Sequence, residues 1–551
     1  MKHLALWIGC LLAMLAAIVG CSQSAASAKP KPAAPKPAIA RQKYPEQWNY
    51  VGASLGDDAG LAKFTDLLKA SKDVGCTHVL MNDSLWLKKA DDAGYVGRVN
   101  KVKATAKELG ITIVPAVYAF GYSGRYLQFD PNMGVGLPVK DMPFIVKGKT
   151  AAPDPAAGID VSKFDPENPV YSVKPFSYYR VSMYTKEKPS GGRGGEGGEV
   201  FRVSGVKPPR WLTRTNTYIK QEGDRWLSTN TFNTLDAGQV RVQVFVKDYQ
   251  DFKIEPAGAL LILRRDTLPL KVTSEDGKTA YEEGKDFKKL VDPLIASGSG
   301  DFESDHKAND IELTGNSSIR DGQKLLVSFY HAYKIYADQN GITMEDPRIF
   351  DIMENDVKNC VKVWGASGYF MNYDEIRIGG WEPLTLERKI TPGQVLAEHT
   401  KKGYDLIRKY SPSARIYTWN DMYDATSNAR PMPNSAYYLV NGDWTGSWEG
   451  LPKDVIIMSW SGSAQGMKFF ADRGQSQVMC GYYDARSTDA MKRNIDNWVR
   501  KSQGLPNILG FMYTTWVPNF SNLQEYFKLL DTYDQWKGSL PAPTTRRARP
   551  Q

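Results

Sequence analysis

The chain is poor in the residues that build disulfide frameworks and metal centres, with five cysteines and five histidines in 551 positions. Cys10 and Cys21 fall in the N-terminal segment, which leaves Cys76, Cys360 and Cys480 in apolar surroundings, the setting of buried thiols. No metal-ligand spacing occurs, and no glycine-rich loop follows a strand as a phosphate cradle requires, so neither metal nor cofactor is expected. The run Gly191-Gly192-Arg193-Gly194-Gly195-Glu196-Gly197-Gly198 joins two β-type segments and reads as a hairpin loop. Excess charge of one sign is lacking too: 70 basic against 61 acidic residues spread +9 thinly, which argues against nucleic acid as a partner. What the chain does have is 42% hydrophobic and 24% charged residues, enough for a large core and more than one domain. It also has 14 tryptophans and 29 tyrosines, which suit stacking on sugar rings as well as they suit two ordinary aromatic cores. Nothing in the sequence sets an oligomeric state.

The N-terminus reads as a targeting segment: Lys2 and His3 precede an apolar run over 4–19, short for a membrane span, that closes on Ile18-Val19-Gly20-Cys21. A small residue before cysteine, with branched apolar residues ahead of it, resembles the bacterial lipoprotein signal. That resemblance implies that Cys21 is lipidated and becomes the mature N-terminus; an ordinary signal peptide cut nearby is the alternative, and both export the protein. The expected location is the outer membrane or periplasm, with the membrane a partner through the lipid. Residues 1–21 are thus signal and lipidated cysteine, 22–44 a tether of Ala, Pro and Lys, and 539–551 a Pro- and Arg-rich tail.

From Trp48 the pattern alternates strand and helix, as in a parallel sheet wrapped by helices. Strand candidates cover 48–55, 76–83 and 111–118, nearly all apolar, as expected where helices cover the sheet. The alternation stops for roughly two hundred residues of β-type runs and turns, at 178–184, 199–203, 210–218, 226–232, 239–246 and 259–263. A β-sandwich inserted in a loop is the economical reading, with 324–331 strand-like and assignable to either part. Helices resume where Asp346 and Pro347 open an apolar-periodic run that ends at Gly365, and Thr391-Pro392 opens another. Strands follow at 368–374, 415–419, 455–460, 477–483 and 508–515, which makes eight with the first three. The expected fold is α/β, a (β/α)8 TIM barrel over 45–120 and 334–538 with a β-sandwich and β extension over 121–333 after strand three.

Such a barrel carries its catalytic groups at the C-terminal ends of its strands. The segment Phe370-Met371-Asn372-Tyr373-Asp374-Glu375-Ile376-Arg377 runs an apolar strand into two adjacent acids and an arginine. Fold stability gains nothing obvious from that repulsion. Glycosidic cleavage, in contrast, needs an acid for the leaving oxygen and negative charge near the oxocarbenium ion. The other strand ends add Asn82 and Asp83, Tyr118, Trp419 and Asp421, Trp460, Tyr482 and Tyr483, and Tyr513 and Trp516. Aromatic platforms with carboxylates and amides between them suit a neutral, polyhydroxylated ligand, so a glycan is the expected substrate.

These residues resemble glycoside hydrolase family 20, the β-N-acetylhexosaminidases, over about 48–120 and 346–533. The resemblance implies that Glu375 is general acid and base, while Asp374 orients the substrate's 2-acetamido group, which attacks the anomeric carbon. It makes Trp419, Trp460 and Trp516 the walls of the acetamido pocket and Tyr482 or Tyr483 its hydrogen-bond donor. Two departures stand out: Phe370-Met371-Asn372-Tyr373 replaces the family's His-x-Gly-Gly, and Val517-Pro518 follows Trp516 where an acidic residue is usual. The segment 437–449, outside the family pattern, offers a substrate-contacting loop. The inserted region is similar to the jelly-roll carbohydrate-binding modules of bacterial glycanases, which implies glycan binding; a module that only shapes the cleft is the alternative. The expectation is a secreted, retaining, exo-acting glycosidase on β-linked N-acetylhexosamine. The alternatives are a two-carboxylate enzyme on plain sugars using Asp421 or Asp484, and a lipoprotein that binds glycan without cleaving it.

Overall fold

The structure, a computed structural model, describes residues 44–539 apart from 53, 163, 190–199, 214–216, 337–338, 433–436, 482–483 and 485–486. The signal segment, Cys21, the tether, Tyr482, Tyr483 and most of the C-terminal tail therefore lie outside the described residues.

Eight parallel strands close into a barrel in chain order: β1 (Glu46–Gly52), β2 (His78–Asn82), β3 (Thr112–Phe120), β4 (Gly368–Tyr373), β5 (Arg415–Trp419), β6 (Val455–Ser459), β7 (Gln477–Met479) and β8 (Ile508–Tyr513). These are the eight segments expected from the alternation. Because side chains alternate across a strand, one set fills the barrel and the other meets the helices. Trp48, Leu80, Val114, Phe370, Tyr417, Met458, Val478 and Met512 belong to the inner set. Val79, Ile113, Tyr369, Met371, Ile416 and Ile457 pack outward.

The helix punctuation is local chemistry. Asp346 accepts the Arg348 amide at 3.0 Å and starts the helix Arg348–Trp364, which stops at Gly365 with φ +53°. Thr391 and Gln394 form a capping box on Pro392–Tyr410.

Between β3 and β4 the chain builds antiparallel sheets. One four-stranded sheet runs in the order Tyr218–Glu222, Arg225–Asn233, Tyr178–Thr185, Gln250–Pro256, and a second in the order Val170–Ser172, Gln239–Val244, Phe201–Val206, Pro209–Trp211. Val181, Met183, Phe201, Val203, Phe232, Val240 and Val242 of both sheets share one apolar core. Lys324–His331 lies in neither barrel nor sandwich: it is a central strand of a separate six-stranded sheet, between Lys271–Ser274 and Leu137–Lys147. The run at 259–263 is not a strand. Leu261 takes φ +55° and gives its amide to Asp292, so this buried apolar segment wraps through the core as a turn.

The inserted sheets and the barrel are tied by charge as well as by packing. The Arg265 side chain is fully buried between Glu382 and Asp346 and also donates to the Asn132 and Gly134 carbonyls. Removing one partner from such a cluster leaves a buried charge uncompensated, which costs on the order of 3–5 kcal/mol.

Candidate active site

Strand parity decides which side chains meet at the barrel mouth. Continuing the inner set of each strand places Tyr50, Asn82, Asp374, Trp419, Asp421 and Trp460 there, and the hydrogen bonds join them. Asn82 donates to the Tyr50 hydroxyl at 3.4 Å and accepts from Arg125 at 3.3 Å. The Trp460 indole donates to Asp421 at 3.2 Å.

Three sequence-predicted residues are not brought to this cluster. Asp83 is one step out of phase with Leu80 and Asn82; it accepts from Tyr95 at 3.1 Å and the Leu85 amide at 3.2 Å, and burial pushes it up to about 6. Tyr513 is out of phase with Met512 and sits in the helix-side core, its hydroxyl on the Asn519 carbonyl at 2.8 Å. Tyr118 is in phase, yet its ring is fully buried on the helix side and donates to the Gly403 carbonyl. The cause is a register shift between β3 and β4 beyond Met371, where Tyr118 adopts φ +69°. The bulge reverses the side to which the side chain points.

The carboxylates have unequal surroundings. Asp421 is fully buried and accepts the Glu375 amide at 3.0 Å, Asn428 at 2.9 Å and Trp460 at 3.2 Å. Burial, reinforced by the charge of Glu375 and opposed by these donors, pushes it up to about 7. Asp374 is buried too, but its Oδ1 has no hydrogen-bond partner among the described residues. Burial first, then the charges of Asp421 and Glu375, hold its carboxyl well above the usual carboxylate range. Glu375 faces the opening: Oε1 pairs with Arg377 at 2.7 Å, and Oε2 accepts from Tyr122 at 2.9 Å and Gln339 at 3.4 Å. Its backbone is left-handed, φ +46°, a conformation that costs a non-glycine residue roughly 1–2 kcal/mol. The hydrogen bond from its amide to Asp421 offsets part of that cost. Gly121 runs so close beneath the pair that a Cβ there would sit 1.5 Å from the Asp374 carbonyl oxygen.

Tryptophans line one side of the mouth. Trp419 is buried against Phe370, at 4.8 Å between ring centres, with its indole nitrogen on Asn372 at 3.1 Å. Trp516 meets the edges of Trp419, Trp460 and Tyr50 at 5.9, 6.1 and 5.6 Å and remains 40% exposed, open to a ligand. Asp484 holds the Trp516 loop: it accepts the Thr515 hydroxyl and the amides of Trp516 and Val517 at 3.1 and 3.4 Å. The segment 437–449 buttresses the other side. Arg377 lies over the Tyr438 ring at 4.2 Å, Leu439–Val440 pairs with Ile378–Gly379, and Trp444 is buried beneath Gly379.

Sequence reasoning missed Tyr50, Tyr122, Asn372, Asn428 and Gln339. Parity with Trp48 and Phe370 would have found Tyr50 and Asn372. The other three sit on connecting segments, where no periodicity announces them. Among the described residues no group of three or more His, Cys, Asp or Glu side chains is arranged to hold a metal ion, and Cys76, Cys360 and Cys480 are buried free thiols.

No protein family model and no curated protein sequence matches this chain. Among solved structures it is similar to the glycoside hydrolase family 20 catalytic modules of the pneumococcal exo-β-D-N-acetylglucosaminidase StrH, at 9% identity and a TM-score of 0.36, over 92% of this chain and 89% of that one. It is also similar to a rhamnosidase from Novosphingobium sp. PP1Y, at 12% identity and a TM-score of 0.33, over 86% and 55% of the two chains. A family 89 glycoside hydrolase from Clostridium perfringens aligns at 7% identity and a TM-score of 0.23, over 73% and 68%.

Proposed function

We propose that the chain is a glycoside hydrolase in which Asp374 and Glu375 act on a sugar seated against Trp419, Trp460 and Trp516. The observation that carries this reading is the cluster of three carboxyls, Asp374, Glu375 and Asp421, opposed by Arg377 and walled by tryptophan at the mouth of the barrel. Burial and like charge raise the Asp374 carboxyl above the usual carboxylate range, and positive charge growing on a ligand opposes that effect. The site therefore favours a reaction whose transition state becomes cationic, as glycosidic cleavage does.

Within that class, the use of each carboxylate favours substrate assistance over a pair of acting carboxylates. Both oxygens of Asp421 and both of Asp484 are taken by protein donors, so neither offers a free nucleophile across the sugar ring. Asp374 has a carboxyl oxygen without a donor among the described residues, and Glu375 is the group nearer solvent. In the proposed reaction the 2-acetamido carbonyl oxygen of a β-linked N-acetylhexosamine attacks the anomeric carbon, and Asp374 accepts a hydrogen bond from the acetamido nitrogen. Glu375 gives its proton to the leaving oxygen, then takes one from the water that opens the cyclic intermediate, so configuration is retained. We place this activity outside the cytoplasm, on a lipid anchor at Cys21, a reading supported by the signal segment.

Chromogenic glycosides test the assignment directly. Cleavage confined to 2-acetamido sugars is the expected result. Cleavage of plain sugars would overturn substrate assistance, and saturable binding without turnover would make the chain a glycan-binding protein.

A further inference from the structure

Glu375 Oε2 is held from both ends of the inserted β region. Tyr122 lies just past β3, where the chain leaves the barrel, and donates to that oxygen at 2.9 Å. Gln339 lies where the chain returns, in the antiparallel strand pair Lys334–Tyr336 and Gln339–Asn340, and donates at 3.4 Å. Gln339 is fully buried, and its own Oε1 has no hydrogen-bond partner among the described residues. An unsatisfied buried amide oxygen costs about 1–3 kcal/mol. A core position would be better served by an apolar side chain of the same shape, so the amide calls for an explanation through its other end. That end meets the carboxylate.

The segment that carries Gln339 is fixed. Asn340 donates to the Gly300 carbonyl at 3.2 Å, and the Gly341 carbonyl accepts the Val135 amide at 3.0 Å. A Cβ on Gly341 would lie 2.2 Å from Ile378 and 2.5 Å from Val135, so the chain is pressed against the element that follows Glu375 and Arg377. With Arg377 on Oε1, three donors occupy the two Glu375 oxygens. A proton on Oε2 must displace one of its two donors, and the amide at 3.4 Å is the one held at longer range.

Resting on the reading of Glu375 as the reacting carboxylate, we propose that Gln339 is a positioning residue. Supplied by the segment that returns from the inserted sheets to the helix Arg348–Trp364, it sets the orientation and protonation midpoint of Glu375, so the barrel strands alone leave the site incomplete.

The test follows Glu375 itself and needs no turnover. In full-length protein carrying ¹³C-carboxyl glutamate, the Glu375 resonance is identified by its loss in Glu375→Gln and titrated against pH. Gln339→Met keeps the shape and removes the donor; the midpoint rises by roughly half to one pH unit, the worth of one neutral hydrogen bond. Gln339→Glu raises it further, since it adds a like charge. In the unmodified protein the Gln339 side-chain amide resonance moves with the same midpoint as Glu375, a measurement that needs no variant to fold. An unmoved midpoint in Gln339→Met, or a Gln339 amide signal indifferent to the Glu375 titration, overturns the proposal. A shifted midpoint in a protein that cleaves no glycoside would leave the positioning role intact and refute the enzymatic reading alone.

Discussion

Asp374→Asn should make the protein more stable and less active, with the gain in stability present at high pH and absent at low pH. Asp374 and Asp421 are both raised in the folded state above the ordinary aspartate value. Well below the ordinary value of 3.8 both are protonated in the folded and unfolded chains alike, and no difference arises. As pH climbs, the unfolded chain gives up its protons while the folded one holds them, so stability falls. The loss is complete once the folded groups have ionised. For Asp421 the climb from 3.8 to about 7 corresponds to roughly 4 kcal/mol at one pK unit per 1.36 kcal/mol. Asp374 lies in the same direction, with more burial than bonding to account for it.

Asparagine in place of Asp374 removes one of two neighbouring buried charges. It forfeits no hydrogen bond at Oδ1, because that atom has no partner among the described residues. The gain is therefore expected in full at pH 8 and close to zero at about pH 3, read as thermal midpoints of wild type and variant that coincide at about pH 3 and separate by a few degrees at pH 8. Turnover of 2-acetamido glycosides should fall in the same variant for good and poor leaving groups alike, since the group that orients the attacking amide is weakened. A variant equally destabilised at both pH values would refute the reasoning: it would mean that Asp374 holds the fold together and that its charge is compensated.

Three further outcomes follow from the same geometry. Glu375→Gln should cost about 10²–10⁴-fold on substrates with poor leaving groups and far less on nitrophenyl glycosides, in kcat/KM comparisons across a leaving-group series; uniform losses would remove Glu375 from the general-acid role. On the outer face of the sandwich, Trp211 and Phe245 are 44% and 47% exposed on either side of Arg202. If this sheet holds glycan, Trp211→Ala with Phe245→Ala should weaken retention on insoluble polysaccharide roughly 5- to 150-fold, at about 0.5–1.5 kcal/mol per lost ring contact, while cleavage of small glycosides stays unchanged; unaltered retention would leave the sandwich a shaping element. Cys21→Ser should release a folded protein from membranes into the soluble fraction, and unchanged membrane fractionation would count against lipidation.

Where the sequence was legible, a period of two or a terminal residue carried the message. The eight barrel strands announced themselves as apolar runs between capped helices, and Asp374–Glu375 stood out because charge followed a buried strand with no structural reason to do so. The same period sorts the strand-end residues. Asp83 and Tyr513 fail it because they neighbour inward residues rather than alternate with them. Tyr118 satisfies it and still points outward, because one extra residue in β3 reverses its side. That bulge answers to the crowding of Gly121 against the Asp374 carbonyl, a contact between segments more than 250 residues apart. No local pattern encodes such a contact.

The same limit applies to Tyr122 and Gln339. Each is an ordinary residue on a connecting segment, and their shared oxygen exists only once β3 and β4 lie side by side with the chain returning over them. A long insertion between a barrel strand and the helix that follows it has both ends at the C-terminal face of the barrel, because the strand ends there and the helix starts there. The residues at those ends are therefore the first place to look for groups that the barrel strands do not supply. In this chain both ends reach the carboxylate that the proposed chemistry depends on. A glutamine and a tyrosine without motif, periodicity or charge thus have a stronger geometric claim on the site than Asp83, Tyr118 or Tyr513, which the strand-end pattern singled out.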